Sequence, residues 1–310
     1  MTRQRLIVAA AAFVACMLLP LVVQQDYQLN VLFRVFLFAA LGLAWNLVGG
    51  YAGQLSLGHA AFFGIGAYGL ALFHGKLGLP TWLALVLGVI TAVAAAVVIG
   101  RVAFRLRGPY FALATIAFAE VLRLTAKNLP DVTGGDVGFQ APALFGADPS
   151  RRFYWSAVVL TAVAFAATVL IARSRFGYAL QAIREDEDTA MACGIDAARV
   201  KLKALTISAA LTAIGGALSA SLFFYIVPDQ VLAIDISSEI AIVAMLGGAG
   251  TPVGPIVGAL LLEPASELFK NQFHEAHQLI YGVLIVVVVL YFPEGITGTV
   301  AGWWRRRKRA

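Results

Sequence analysis

Long apolar runs, broken at fairly even intervals by short polar or glycine-rich pieces, dominate this 310-residue chain. A helix rising 1.5 Å per residue needs about 20 such residues to cross ~30 Å of hydrocarbon. The pattern predicts membrane spans at residues 6–23, 29–48, 54–73, 81–100, 109–127, 153–172, 203–226, 235–248, 254–270 and 278–292. The two beginning at Asp235 and Gly254 can also be read together as one interrupted helix. The expected fold class is all-α: a polytopic integral membrane protein of about ten transmembrane helices, one domain over residues 1–310.

Composition sharpens this picture. With 60% hydrophobic and 13% charged residues, against about a quarter charged in soluble chains, lipid must be the solvent of most of the surface. The net charge of +6 does not point to nucleic acid, because the basic residues gather at the ends of apolar runs and act as topology signals. With the N-terminus inside, sixteen of the 23 Lys and Arg fall in inner segments, and four (Lys76, Lys127, Arg151, Arg152) fall outside. Both termini, the long loop 173–203 and the basic tail 303–310 are therefore expected in the cytoplasm. Arg3 and Arg5 ahead of the first apolar run could begin a cleaved signal peptide, but the many later spans favour a retained first span. Cys16 in an apolar run and Cys193 in the charged loop make no plausible disulfide.

Two glycine-rich stretches interrupt the spans, Asn46–His59 and Leu246–Gly258. Broken backbone at membrane depth is tolerated only where protein buries it or where it lines a cavity. Paired interruptions of this kind are the best sequence pointer to a transport site and to internal repeats. Gln54, Ser56 and His59, with Gly247, Gly248 and Gly250, are accordingly the candidate substrate pathway. The competing account of the polar three is structural glue between helices, and of the glycines, close packing. Arg34, Glu120 and Arg123 are the titratable residues recognised within spans. Glu120 and Arg123, one turn apart, should neutralise each other, and Arg34 should snorkel to the outer surface. The outer segment Asn128–Arg152, rich in turn formers, is either a connector or a docking surface.

The region 173–203 holds 11 charged residues in 31 positions. Arg184–Ala192 can be helical, Gly194 can end that helix in a left-handed conformation, and Asp196 can cap a second short helix. The result is a helical elbow at the membrane face, with small residues at its tip. No phosphate loop of the form G-x-x-x-x-G-K-[ST] is present, and no Cys/His spacing suggests zinc. His274 and His277 read as surface polarity, and no nucleophile–base set stands out. An enzyme is not expected, nor a cofactor or metal bound by this chain.

Asp188-Thr189-Ala190-x-x-x-Gly194 resembles the EAA-x-x-x-G loop of ABC importer permeases. Four longer stretches, Gly50–Tyr68, Arg105–Thr115, Arg173–Glu187 and Leu246–Pro255, are similar to the M-type subunits of the branched-chain amino-acid ABC importer permeases. The resemblance covers residues 30–300, with Pro109 after Gly108 as a modest departure. It implies an ABC importer type II-like fold with inverted repeats and an inner-membrane location. It also implies a homologous H-type permease partner, two cytoplasmic ATP-binding subunits that use ATP and Mg, and a periplasmic substrate-binding protein. The loop would be a coupling helix, with Arg184, Glu185, Asp188, Ala190, Gly194 and Ile195 facing the ATPase. Relatives carry branched-chain amino acids, but also urea, amides, other amino acids or aromatic acids. An ion-coupled secondary transporter is the rival class.

Overall fold

The computed structural model describes residues 25–145, 149–272 and 295–299, together with Phe13, residues 15–20, Val23 and Gly282. The predicted first span lies mostly outside this set. The last span, His274, His277 and the basic tail lie outside it as well, except Gly282 of that span. The long helices are α1 (Asp26–Asn46), α2 (His59–Gly75), α3 (Thr81–Ala103), α4 (Pro109–Lys127) and α6 (Pro149–Ala172), with the four-residue α5 (Pro130–Thr133) between the last two. After them come α7 (Arg175–Glu185), α8 (Glu187–Ala192), α9 (Ala197–Phe223), α10 (Pro228–Val231), α11 (Ile234–Gly248) and α12 (Gly254–Gln272). Two short strands, β1 (Phe139–Gln140) and β2 (Tyr225–Ile226), pair antiparallel with Phe139 opposite Ile226.

Six helical stretches among the described residues are long and apolar enough to cross a membrane: those at 26–51, 81–103, 109–127, 150–172, 197–223 and 228–248. The chain is a multi-pass membrane protein. Helix α2, at 17 residues, covers ~26 Å and packs among them. Helix α12 carries Glu263 and Glu267 after the apolar run Ile256–Leu262.

On α3 the buried face follows from residue size rather than polarity. The buried positions are Ala84, Gly88, Ala92, Ala96, Gly100 and Ala103, a stripe of small residues three or four apart. Its large apolar residues Trp82, Val86, Ile90, Val98 and Val102 point outward. In lipid nothing drives a large side chain inward, so close backbone approach decides the packing. Helices α1 and α2 are exceptions, buried nearly all round from Val35 to Asn46 and from His59 to Ala71; α1 packs against α6, α9, α11 and α12.

One span starts later than the sequence expectation, and the spans expected at 235–248 and 254–270 are two separate helices rather than one interrupted helix. The third span begins at His59, not at residue 54, because Ala52–Gly58 runs as irregular backbone after a π-helical turn at Leu47–Tyr51. The stretch 234–272 is two helices folded into a tight hairpin, since Gly247 packs against the Gly254 backbone and Gly258 against the Val243 backbone. Pro109 sits at the first position of α4, where its missing N–H costs nothing.

One contact tests the size rule. A Cβ on Gly66 of α2 would collide with the Ala213 backbone of α9. Gly66→Val should cost ~1–3 kcal/mol through overpacking and lower the thermal midpoint in detergent. Val98→Ala, on the lipid face, should leave the midpoint where it is.

Candidate functional site

The elbow is built from three capped helices. Ser174 Oγ accepts from the Gly177 N–H at 3.2 Å, Asp186 Oδ1 from the Thr189 N–H at 2.6 Å, and Asp196 Oδ1 from the Arg199 N–H at 3.0 Å. The Thr189 backbone N–H, with its hydroxyl, holds the Asp186 carboxyl below the ordinary carboxylate value. The expected helix from Arg184 to Ala192 is broken at Asp186, whose extended backbone (φ −157°, ψ 113°) lets it serve as the cap of α8. What starts at Asp196 is not a second short helix but α9 itself, which enters the membrane from the elbow. Gly194 has φ +86°, the left-handed conformation anticipated, and the Ile195 N–H returns to the Ala190 carbonyl at 3.1 Å.

Ile183, Ala190 and Ala197 form the elbow's own small core, with Ile195 packed against it. Ala190 therefore does not present a small tip to a partner. The outward face is Glu185, Asp188, Met191, Cys193 and Gly194, all exposed. Arg107, just ahead of α4, makes a two-pronged pair to Asp188 at 2.9 and 3.1 Å. Lys201 on α9 is buried, bonds Glu187 at 2.7 Å and sits 5.3 Å from the Phe104 ring centroid.

The elbow touches both glycine-rich breaks. Arg184 Nη1 donates to the Gly50 carbonyl at 2.7 Å, and the same guanidinium lies where a Gly250 side chain would be. The breaks also hold each other: Asn46 Nδ2 donates to the Thr251 carbonyl at 2.8 Å, and Asn46 Oδ1 accepts from the Gly250 N–H at 2.7 Å. Gly248 and Gly250 both have positive φ, which makes the reversal between α11 and α12 possible. Thr297 closes the far side by donating to the Gly247 carbonyl at 2.6 Å. Because the two breaks meet at the same end of the bundle, the hairpins α1–α2 and α11–α12 run in the same sense. That pair of interruptions is therefore not itself related by inversion.

Ser56 and His59 are completely buried, whereas Gln54 is half-buried beside the exposed Leu55. His59 bridges Ser56 Oγ at 3.1 Å and Ser208 Oγ of α9 at 2.8 Å through its two ring nitrogens. Trp45 Nε1 donates to the Ser56 carbonyl at 2.7 Å, and Ser237 Oγ accepts from the Ala60 N–H at 2.7 Å. In this structure these polar residues tie four helices together and satisfy the broken backbone. Ser208→Ala and His59→Leu should each destabilise by ~1–3 kcal/mol by stranding buried partners. The double variant should cost less than the sum of the two in detergent melts.

At the opposite end, Glu120 and Arg123 pair at 2.6 Å as expected, and Arg123 also reaches Asp229. Lys127 bonds Asp229 at 2.8 Å and Asp136 at 3.1 Å. With the β1–β2 pair, these contacts fasten the segment 128–145 to 224–233 as an ordered cap. Arg34 does not simply snorkel. It lies beside Glu239 of α11 at 3.8 Å and Glu263 of α12 at 3.5 Å. Those two carboxylates inside predicted spans went unrecognised in the sequence. The signal was available, because an arginine within one span calls for acidic partners in others. Arg34 and Glu239 line a cavity of about 490 Å³ beneath the cap. No group of three or more potential metal ligands occurs among the described residues.

Residues 27–289 match the family described as branched-chain amino acid transport system / permease component. The chain is 33% identical over 288 residues to the Escherichia coli K12 high-affinity branched-chain amino acid transport system permease protein LivM, covering 84% of this chain and 67% of that protein. It is 28% identical over 282 residues to the LivH permease protein of Salmonella typhimurium and 27% identical over 285 residues to BraD of Pseudomonas aeruginosa, covering 84% of this chain and 91% of each relative. No solved structure matches. On this evidence, joined to the multi-pass helical fold, the chain belongs to the branched-chain amino acid transport permease family.

Proposed function

We propose that this chain is the M-type membrane subunit of an ATP-driven importer that carries branched-chain amino acids across the cytoplasmic membrane. It forms one transmembrane domain of ten spans, with inverted repeats and both termini in the cytoplasm. An H-type permease, two ATP-binding subunits and a periplasmic binding protein complete the machine. ATP and Mg act on the ATP-binding subunits, and this chain binds no cofactor. Relatives named as both LivM and LivH match this chain, which supports a paired permease.

The observation that carries the reading is Arg184. A coupling element must do more than dock an ATPase; it must touch the part of the permease that changes. The elbow's outward face offers Asp188, Met191 and Gly194 to a partner, while its inward face places Arg184 on the Gly50 carbonyl and against Gly250. Closure of the ATP-binding subunits pulls the elbow, Arg184 shifts between the two breaks, and the hairpins they end are released or locked. Work reaches the pathway only because the ATPase binds the two arrangements unequally. Gln54, Ser56, His59, Gly247, Gly248 and Gly250 then act as the hinge and seal of the cytoplasmic end.

The experiment is uptake of labelled leucine by the complete complex in proteoliposomes, with ATP hydrolysis measured in parallel. Arg184→Ala should leave the complex assembled and hydrolysing but reduce leucine carried per ATP by about tenfold, the scale of one lost charge-assisted bond. Gly194→Trp should instead abolish ATPase assembly or transport-linked hydrolysis while the chain still inserts, since Gly194 is exposed at the docking face. Full activity in both variants would refute the coupling assignment.

Glu239 and Glu263 give one reason to keep the ion-coupled class in view, because carboxylates within membrane spans serve proton and sodium coupling. The same proteoliposomes decide it. Uptake under an ion gradient without the ATP-binding subunits favours that class; uptake that needs ATP and them favours the importer.

A further inference from the structure

Three arginines gather where α3 ends and α9 begins. Arg101 in the last turn of α3, Arg105 one turn further on, and Arg199 in the first turn of α9 rim a pocket of about 400 Å³. The chain stays tightly wound past α3, with the Phe104 N–H on the Gly100 carbonyl at 3.0 Å and the Arg105 N–H on the Val102 carbonyl at 3.3 Å. The floor is apolar, made by Gly100, Phe104 and Leu202, and it is preformed. Phe104 stacks on Phe111 with ring centroids 5.0 Å apart, and Lys201 Nζ stands 5.3 Å from the Phe104 centroid. A Cβ on Gly100 would strike Leu202, so α3 and α9 are in close contact beneath the arginines.

The charges of this rim are out of balance. Arg199 pairs with Asp196 at 2.9 Å, but both side chains are well exposed, which makes the pair weak. Arg101 and Arg105 form no ion pair among the described residues. The nearby acids are committed elsewhere, Asp188 to Arg107 and Glu187 to Lys201. Three guanidinium groups therefore share one carboxylate. Topology alone places basic residues at the end of a span, but it does not converge them on a preformed apolar hollow. Position selects the occupant. Arg101 and Arg105 each follow an exposed valine, Val98 and Val102, by three residues, so they neighbour the lipid face of α3.

We propose that this pocket holds the headgroup of an anionic phospholipid. The phosphodiester oxygens accept from Arg101 and Arg105, whose planar forks match phosphate. Arg199 faces the remainder of the headgroup, and an acyl chain runs along Val98 and Val102. Bound there, the lipid braces α3 against α9 beside the elbow. A zwitterionic lipid binds less well, because its ammonium would sit among the arginines. The assignment needs only the multi-pass fold and stands apart from the importer reading.

The test is native mass spectrometry of the complete, delipidated complex in detergent, titrated with phosphatidylglycerol or with phosphatidylethanolamine of the same acyl chains. The unmodified complex should take phosphatidylglycerol at a tight site, with a rise in thermal midpoint. Neither phosphatidylethanolamine nor inorganic phosphate should displace it. The double variant Arg101→Gln, Arg105→Gln should weaken that site by about tenfold or more, the scale of one hydrogen bond to a charged group. The double variant Arg173→Gln, Arg175→Gln removes two exposed arginines outside the pocket and should bind as the unmodified complex does. Ala198→Trp, at an exposed position lining the pocket, keeps all three rim arginines and fills the hollow. It should lose the site too, and it decides alone if the first double variant does not assemble. Equal losses in the two arginine pairs would reveal only a general attraction of anionic lipid to basic surface, and would overturn the pocket. Unchanged lipid binding in the rim variants would also overturn it; loss of an ATP-binding subunit in that case would give the rim to a protein partner.

Discussion

Backbone that leaves a helix inside a membrane must find its hydrogen-bond partners in protein, because the hydrocarbon offers none. That constraint organises this molecule. Two chain reversals, Leu47–Gly58 and Ala249–Val253, open donors and acceptors at one end of the bundle, and each supplies part of what the other lacks. Asn46 answers both a carbonyl and an N–H of the second reversal, and Arg184 answers a carbonyl of the first. Trp45, Thr115 and Ser237 take the remaining groups near Ser56, Leu57 and Ala60. The breaks are therefore mutually dependent, and a segment outside the spans completes them.

Helix α9 carries that dependence across the bundle. Its 27 residues span ~40 Å without a proline. At its start, buried Lys201 is tied to Glu187 of the elbow. A little further along, Ser208 receives His59. Near its far end, Ser221 accepts from the Leu144 N–H and donates to the Pro142 carbonyl of the cap, and Phe224 turns the chain at φ +59°. One rigid rod thus contacts the elbow, the first break and the cap. Movement at the elbow has a direct path to the roof of the cavity.

Much of this was legible in the sequence, and the reason is local. Apolar run length and glycine placement are properties of short stretches, so the long helices, the two breaks and the left-handed Gly194 could be read directly. Glu120–Arg123 was readable because both residues lie on one helix. What escaped depended on distant partners. Asp186 reads as mid-helix until its side chain is seen capping Thr189, and Lys201 reads as a loop charge until Glu187 and Phe104 enclose it. Glu239 and Glu263 lie 205 and 229 residues from Arg34 in the chain, so nothing adjacent announces the cluster. Ser56 and His59 were recognised as polar groups needing partners, but local sequence could not say whether those were substrate or Ser208.

The strengths of these contacts bear on how such a bundle moves. Hydrogen bonds like those of Asn46 and Arg184 contribute ~0.5–3 kcal/mol each, and part-exposed ion pairs such as Lys127–Asp229 contribute ~0–1 kcal/mol. Either end can therefore be released by a coupling free energy of ordinary size, ~1–3 kcal/mol. The middle is different. Small-residue seams such as Gly66 on Ala213 and Gly69 on Gly88 leave no space for sliding. A bundle with a stiff waist and two weakly latched ends can open at one end without disassembling at the other, which is the mechanical requirement of alternating access. Placing the charged cavity between that waist and the cap keeps it walled off from the elbow end for as long as the Asn46 and Arg184 bonds persist.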